Sequence, residues 1–393
     1  MVPRAKANYN LCQLAKALFI REGGRDYRGI LISQLRDFLG EHNILLTPSG
    51  RSALYFILKA IDKPRVVVPA YTCNAVIEAA VLAKKEVVYV EVEDNGFNLS
   101  LSELENLADE HTIVIATHQF GFPCEIEDIV SVCRRKRAVV IEDAAASLGS
   151  RVNGKPVGTF ADAAFFSFDS TKLINVPLKG GFLVGRNADL FEKICTAYKK
   201  EIELMPLWLK WKLILQACIL VCLQNHFLYR AFHWMRFELA GKYTAETANV
   251  SAKKTVFYRY DMANWQAYIA TRQVKVIDQL INTRRRRYAQ FIERLSLCTA
   301  FELPAFDEKA EWACVRFPIR VRSNKFLFYD KIAGQGVDCA FSFTFITCPD
   351  KFKNAKRLGS QILDLPFYYK LTDKEFEKVV SALIAADREG ASE

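Results

Sequence analysis

None of the sequence's 11 cysteines forms a C-x-x-C pair, and no His or Cys cluster has metal-ligand spacing. Those absences argue against a zinc module or a dithiol redox centre, and no metal site is expected. An odd, unpatterned cysteine set in 393 residues reads as reduced thiols of a cytoplasmic protein. The first residues, Met1-Val-Pro-Arg-Ala-Lys-Ala7, lack the apolar core of a secretory signal. The formal charge of +10 can reflect nucleic acid, anionic lipid or phosphorylated substrates. With no aromatic–basic signature and no zinc-finger spacing, nucleic acid is not an expected partner. Internal repeats and low-complexity segments are also missing. What is present, 51% hydrophobic and 25% charged residues, is ordinary for a globular chain. It suffices for a large core and about two domains.

The first half alternates between two patterns. Short β-branched runs bounded by turns are Arg65–Pro69, Glu86–Val90, Thr112–Ala116, Ala138–Glu142 and Gly181–Gly185. Between them, Asn74–Lys84, Ser102–Ala108 and Ile126–Arg134 have helical spacing. Buried strands alternating with helices predict an α/β fold with a mainly parallel central sheet. Ligands of such sheets bind outside the carboxyl ends of the strands. The later runs, Val315–Val321 and Ile362–Pro366, each followed by a helical segment, predict a smaller α+β C-terminal domain. The expected division is 1–260 for the large domain and 261–393 for a long linking helix with the small one.

Two residues stand at predicted strand ends with complementary chemistry. Lys172 follows the apolar stretch Ala163-Ala-Phe-Phe-Ser-Phe168 and precedes Gly180-Gly181. Asp143 closes the run Val139-Val-Ile-Glu-Asp143. A lysine amine can form a Schiff base with the aldehyde of pyridoxal 5'-phosphate (PLP), and an acid can keep the pyridine nitrogen protonated. Ser49-Gly50-Arg51 opens a helix after an apolar run, so its free N–H groups make a phosphate site, to which Arg51 adds a charged donor. Taken alone, such a turn is more often a simple helix cap. Ser167, five residues before Lys172, can reach the same phosphate or serve as a turn residue. His118, at another strand end, either lines the cleft or is structural.

Glu203 to Phe237 departs from this pattern. Its apolar run, Met205 to Gln224, is too short for a confident membrane span, and Phe227-Leu-Tyr-Arg-Ala-Phe-His-Trp-Met235 follows. The Trp, Lys and Arg flanks fit an interfacial helix on an anionic membrane; a buried helix or a dimer-contact arm fits as well. Asp261 to Arg294 reads as one long helix, with Arg284-Arg-Arg-Arg287 on a solvated face or against anionic lipid or a substrate diphosphate.

In order and spacing, Pro48-Ser-Gly-Arg-Ser-Ala-Leu54, Val68-Pro-Ala-Tyr-Thr-Cys73, Thr117-His-Gln-Phe-Gly121, Ile141-Glu-Asp-Ala-Ala145 and Phe166-Ser-Phe-Asp-Ser-Thr-Lys172 resemble the DegT/StrS-type aminotransferases. Asp261-Met-Ala-Asn-Trp-Gln-Ala-Tyr-Ile269 and Ile362-Leu-Asp-Leu-Pro-Phe-Tyr-Tyr-Lys-Leu-Thr372 continue the resemblance through the tail. The resemblance implies a PLP enzyme of fold type I and a homodimer. It implies Lys172 as Schiff-base lysine and proton shuttle, Asp143 on the pyridinium, and Ser49, Gly50, Arg51 and Ser167 on the phosphate. The implied reaction carries an amino group from L-glutamate to a keto-sugar, most often nucleotide-linked, in surface polysaccharide or related biosynthesis. Lys172 favours amino transfer over the dehydratase branch, which has histidine there. The sequence departs from the family at Arg51 (usually Thr), at Ala146 (usually Gln or His), and at Cys73, where an aromatic usually stacks on the cofactor. Tyr71 is the candidate substitute and, with His118, the candidate substrate contact. The Glu203–Phe237 segment is also unlike the ordinary sugar enzymes. It raises a second acceptor class, a lipid-linked or apolar carbonyl compound delivered at the membrane face. A PLP-binding regulatory or scaffolding protein is the alternative outside catalysis.

Overall fold

A computed structural model describes residues 1–240, 254–305, 310–344 and 347–390. Its centre is a seven-stranded sheet in the order Ile44–Thr47, Gly181–Gly185, Ala163–Ser167, Val139–Asp143, Thr112–Thr117, Arg65–Pro69, Glu86–Val90. Gly181–Gly185 is antiparallel to both its neighbours, and the other six strands run in one direction. Val66, Val67 and Val68 are all buried, as a strand covered on both faces requires. Each such side chain stabilises by about 1.5–3 kcal/mol on leaving water.

Helices cover the sheet on both faces. Ser49 caps the Gly50–Ala60 helix by accepting the Ser52 N–H, and Asn187 caps Ala188–Glu201 in the same way. Together with Asn74–Leu82, these helices bury Phe56, Ile57, Ile77 and Ile194 against one face. Leu101–Leu107 and Ile126–Arg135 cover the opposite face, burying Leu104, Ile126 and Ile129.

The smaller unit has a three-stranded antiparallel sheet, Phe301–Glu302, Phe317–Val321 and Ile362–Leu365, packed by the Lys325–Gly334 and Asp373–Gly390 helices. The chain's start joins it, since Val2 is buried in this core and bridges Val337.

The long helix expected from Asp261 is two helices, Asn264–Val274 and Ile277–Leu295, broken at Lys275 and Val276. Trp265, Ile269 and Ile281 share the large unit's core with Leu35 and Phe182, whereas Tyr288, Phe291 and Leu295 share the small unit's core with Phe317. The division expected after residue 260 therefore falls ahead of residues that pack in the first core. Nor is the Arg284–Arg287 run wholly a solvated face, although Arg286 is exposed. Arg284 is buried and donates to the Val315 and Phe367 carbonyls, and buried Arg287 donates to the Leu371 carbonyl. The buried guanidinium donors meet loop carbonyls, as buried polar groups require.

Residues 207–237 form two helices, Leu207–Cys222 and His226–Ala240, bent by 109° at the break between them. Among the described residues, no single helix is long and apolar enough to cross a membrane. The first helix buries Leu209, Leu213 and Ala217, four residues apart, and packs beside Leu11–Phe19. Lys210 Nζ donates to the Leu18 and Ile20 carbonyls at that neighbour's C-terminus, at 3.0 and 2.7 Å. The second helix is tied to the small unit. Tyr229 donates to Asp338, and the His233 ring meets the Tyr329 hydroxyl at 3.0 Å. Burial works against the Asp338 carboxylate, yet the His233 and Tyr229 hydrogen bonds and the Arg4 guanidinium hold it at about 2.

Candidate active site

Three adjacent parallel strands end side by side. Thr117 lies opposite Asp143, and Asp143 opposite Phe165, two residues before Ser167. Their carboxyl ends open into a cavity of about 420 Å³ lined by Thr117, His118, Asp143, Phe165 and Ser167. Cys73, Lys172 and the Ser49-Gly50-Arg51 turn also line it. The structure thus gathers every sequence-selected candidate except Tyr71. Tyr71 is buried behind the cavity, donating to the Ser342 carbonyl at 3.3 Å, with its ring against Phe120 and Phe343. Those two phenylalanines line the cavity instead. Both hold left-handed backbone, with φ of 58° and 48°, a conformation that costs non-glycine residues energy and clusters at ligand sites.

The turn at Ser49-Gly50 is packed too closely for side chains. A Cβ on Gly50 would lie 3.0 Å from the Ser167 Cβ. A Cβ on Gly181 would lie 2.5 Å from the Phe166 carbonyl and 2.7 Å from the Gly50 amide nitrogen. This fit sets the N-terminus of the Gly50–Ala60 helix beside Ser167, at the strand end. The Ser167 hydroxyl accepts the Asp169 N–H at 3.2 Å. Arg51 turns to Glu78, 3.0 Å away, so its guanidinium already has a carboxylate partner.

Lys172 sits on a loop held from below. The Gln266 amide donates to the Pro177 and Lys179 carbonyls at 2.9 and 3.1 Å, and Gln273 exchanges hydrogen bonds with the Asn175 backbone. Both glutamines belong to the Asn264–Val274 helix, so the motif near Asp261 supports the lysine loop from a distance in sequence. Burial pushes the Lys172 ammonium down, and Arg316 adds to this; Asp143, Asp169 and Cys73 oppose it. A lysine so depressed holds a larger share of nucleophilic free amine.

Asp143 is buried at its strand end, and burial raises its carboxyl; Lys172, the Ala145 N–H and His118 pull the other way. A cation placed against it would supply the missing compensation. His118 accepts the Cys124 N–H on Nδ1 at 3.1 Å, so its other nitrogen carries the hydrogen toward Glu142, 3.3 Å away. Glu142 in turn accepts the N–H groups of Gly158, Phe160 and Ala161. His118 therefore combines the two roles open to it in the sequence: it lines the cavity and fastens the sheet to the Gly158–Ala161 loop.

Sequence reading passed over much of the rim. Arg4, Lys179, Arg236 and Arg316 all line the cavity. Arg4 pairs with Asp338, Lys179 with Asp169 at 2.9 Å, and Arg316 with Asp364 at 2.6 Å. Arg236, from the second helix of the apolar segment, has no hydrogen-bond or ion-pair partner among the described residues. Isolated arginines scattered from residue 4 to residue 316 carry no local signal; only the fold assembles them. Two buried polar atoms in the lining, Thr117 Oγ1 and Gln119 Nε2, also lack a hydrogen-bond partner among the described residues. Buried polar groups are normally satisfied, so a ligand with hydrogen-bonding groups fits here.

A buried amine, an acid on the same floor, a helix N-terminus beside them and a cationic rim define a site suited to a phosphorylated carbonyl cofactor on an aminotransferase sheet. The DegT/DnrJ/EryC1/StrS aminotransferase profile matches residues 15–384, and the chain belongs to this family of PLP-dependent enzymes. An uncharacterised protein of Methanocaldococcus jannaschii is 26% identical over 369 residues, covering 88% of this chain and 86% of that one. GDP-perosamine synthase of Escherichia coli O157:H7 is 30% identical over 157 residues, 39% of this chain and 43% of its own length. Helicobacter pylori PseC, an aminotransferase involved in pseudoaminic acid biosynthesis, superposes with a TM-score of 0.75, covering 99% of both chains at 16% identity. At that identity the likeness is one of fold, and the fold is that of the fold-type I aminotransferases.

Proposed function

We propose that this aminotransferase moves an amino group from L-glutamate to a nucleotide-linked keto-sugar, in the synthesis of a surface polysaccharide or a related product. The observation that carries the acceptor is the rim: Arg4, Lys179, Arg236 and Arg316 stand around a floor whose acids are Asp143 and Asp169. Guanidinium groups recognise phosphate oxygens in bidentate fashion, and a nucleotide diphosphate offers several. The partial match to GDP-perosamine synthase supports the same acceptor class. The enzyme works in the cytoplasm as a homodimer in this reading; its 11 free cysteines agree with a reducing compartment.

PLP, when bound, supplies an aldehyde and an electron-accepting ring. Lys172 would hold it covalently through Nζ, and Asp143 would keep a proton on its ring nitrogen. The Ser49-Gly50-Arg51 turn and Ser167 would hold its phosphate. Lys172 Nζ would also be the base that takes and returns the proton at the substrate carbon. Gln266 and Gln273 position that amine through its loop. Thr117 and Gln119 offer the unpaired polar atoms that a bound ligand would satisfy.

A second acceptor class, a lipid-linked carbonyl compound bearing phosphate, is favoured by one observation. Arg236 reaches the cavity from the same helix that exposes Phe227 and Trp234. A purely regulatory PLP-binding protein would have no need of the Lys172–Asp143 pair. The test uses purified protein and candidate acceptors with L-glutamate, following 2-oxoglutarate release. Release that depends on a nucleotide-linked keto-sugar supports the first reading. Release only with a lipid diphosphate-linked sugar replaces it by the second.

A further inference from the structure

The Leu207–Cys222 helix is apolar on two faces. One is buried against the protein; the other exposes Leu207, Trp211, Leu215 and Ile219, each four residues from the next. Trp208 and Leu220 flank that line. The second helix exposes Phe227, Leu228, Trp234 and Met235. Of the five tryptophans in the chain, Trp208, Trp211 and Trp234 are 60%, 59% and 66% exposed, while Trp265 and Trp312 are 1% and 8% exposed. Beside the first helix, Leu11–Phe19 also exposes Leu11 and Phe19. Exposed apolar and aromatic side chains concentrated on neighbouring helices mark an interaction surface.

The charges choose the occupant. Between Leu204 and Phe237 the sequence has Lys210, Lys212, Arg230 and Arg236 and no aspartate or glutamate. Lys212 and Arg230 are exposed along with the aromatic residues. A two-fold interface between copies would set this patch against itself, cation facing cation with no acid between Leu204 and Phe237 to receive them, and the flanking Glu203 already pairs with Arg259. An anionic lipid surface satisfies both features at once: aromatic rings at the headgroup level, cations against lipid phosphates. The first helix does not cross the bilayer by itself. Sixteen residues span about 24 Å, short of the ~30 Å hydrocarbon core, and the opposite face is fixed on the protein.

We infer that the bent helix pair of residues 207–237 docks the enzyme on an anionic lipid bilayer. The helices lie in the interface plane, with Trp208, Trp211, Leu215, Phe227 and Trp234 among the acyl boundary and Lys212 and Arg230 on headgroup phosphates. Docking then sets the Arg236 side of the cavity rim near the membrane. Lipid docking stands whichever acceptor the enzyme uses.

The test is flotation of the purified full chain with vesicles of phosphatidylcholine, alone or mixed with phosphatidylglycerol. The protein is expected to float with the anionic vesicles and to release as salt rises. The triple variant Trp208→Ser, Trp211→Ser, Trp234→Ser is expected to lose vesicle affinity by more than about tenfold while keeping the absorbance band of bound PLP. Should that variant lose the band, Lys212→Glu with Arg230→Glu decides, with an expected fall of about fivefold for each charge. No flotation with anionic vesicles, or equal flotation of wild type and both variants, overturns the inference. A wild-type dimer that the triple variant converts to monomer in sedimentation velocity also overturns it, assigning the patch to a second copy.

Discussion

Inside the cavity, side chains are held and most charged groups have partners; on the bent helix pair at its rim, neither is true of the outer face. Asp169 has Lys179, Arg316 has Asp364, and the Lys172 loop is clamped by Gln266 and Gln273. The outer face carries Trp208, Trp211 and Lys212 into solvent. The two regions share one helix, His226–Ala240, which sends Arg236 to the cavity and Trp234 outward. In the proposed roles, the floor does the chemistry and the helix pair meets a lipid surface. Their separation predicts that damage to one leaves the other working.

The largest effect belongs to the floor. Lys172→Ala should lower amino transfer by about 10³–10⁴-fold, measured as 2-oxoglutarate formation, with vesicle flotation unchanged. Next comes the tie between the helix pair and the small unit. Asp338→Ala leaves Arg4, Tyr229, His233 and Tyr329 around an emptied buried site, and should cost about 3–5 kcal/mol in denaturant unfolding. Asp338 also gives this comparison a pH dependence. Its folded value of about 2 lies below the ordinary carboxylate value, so its contribution is full above about pH 4 and is lost as pH falls toward 2. Asp338→Asn should flatten that acid limb of the stability curve.

Asp143→Asn keeps the shape of the floor and removes its charge; amino transfer should fall on the order of 10²-fold, without loss of protein stability. The smallest effect should come from Arg236→Ala. It should raise KM for the phosphate-bearing acceptor about tenfold and leave the half-reaction with L-glutamate unaltered, as expected of a rim contact. An equal loss in both half-reactions would mean that rim and floor are one unit, and the comparison would fail.

The floor was legible in the sequence because its chemistry is written in short segments. Strand runs were readable to within a residue or so, as at Arg65–Pro69 and Val139–Asp143, since strands buried on both faces are forced to be continuously β-branched. Lys172, Asp143 and the Ser49-Gly50 turn stand at the ends of such runs, so their convergence followed from the sheet. Tyr71 misled because position along a strand end does not tell which way a following side chain turns; the fold points it into the small unit's core. Arg284 and Arg287 misled because a run of arginines has the same pattern whether its donors meet water or carbonyls 80 residues away in sequence. The break at Lys275 and Val276 left no proline or glycine to announce it. The rim was the least legible part, because Arg4, Arg236 and Arg316 converge only through tertiary packing.

The absorbance spectrum tests the central claim most directly. Purified protein with PLP should show a band near ~420 nm from the lysine-bound cofactor, L-glutamate should remove it, and Lys172→Ala should never form it. A band that persists in Lys172→Ala, or one that glutamate leaves unchanged, would contradict the account.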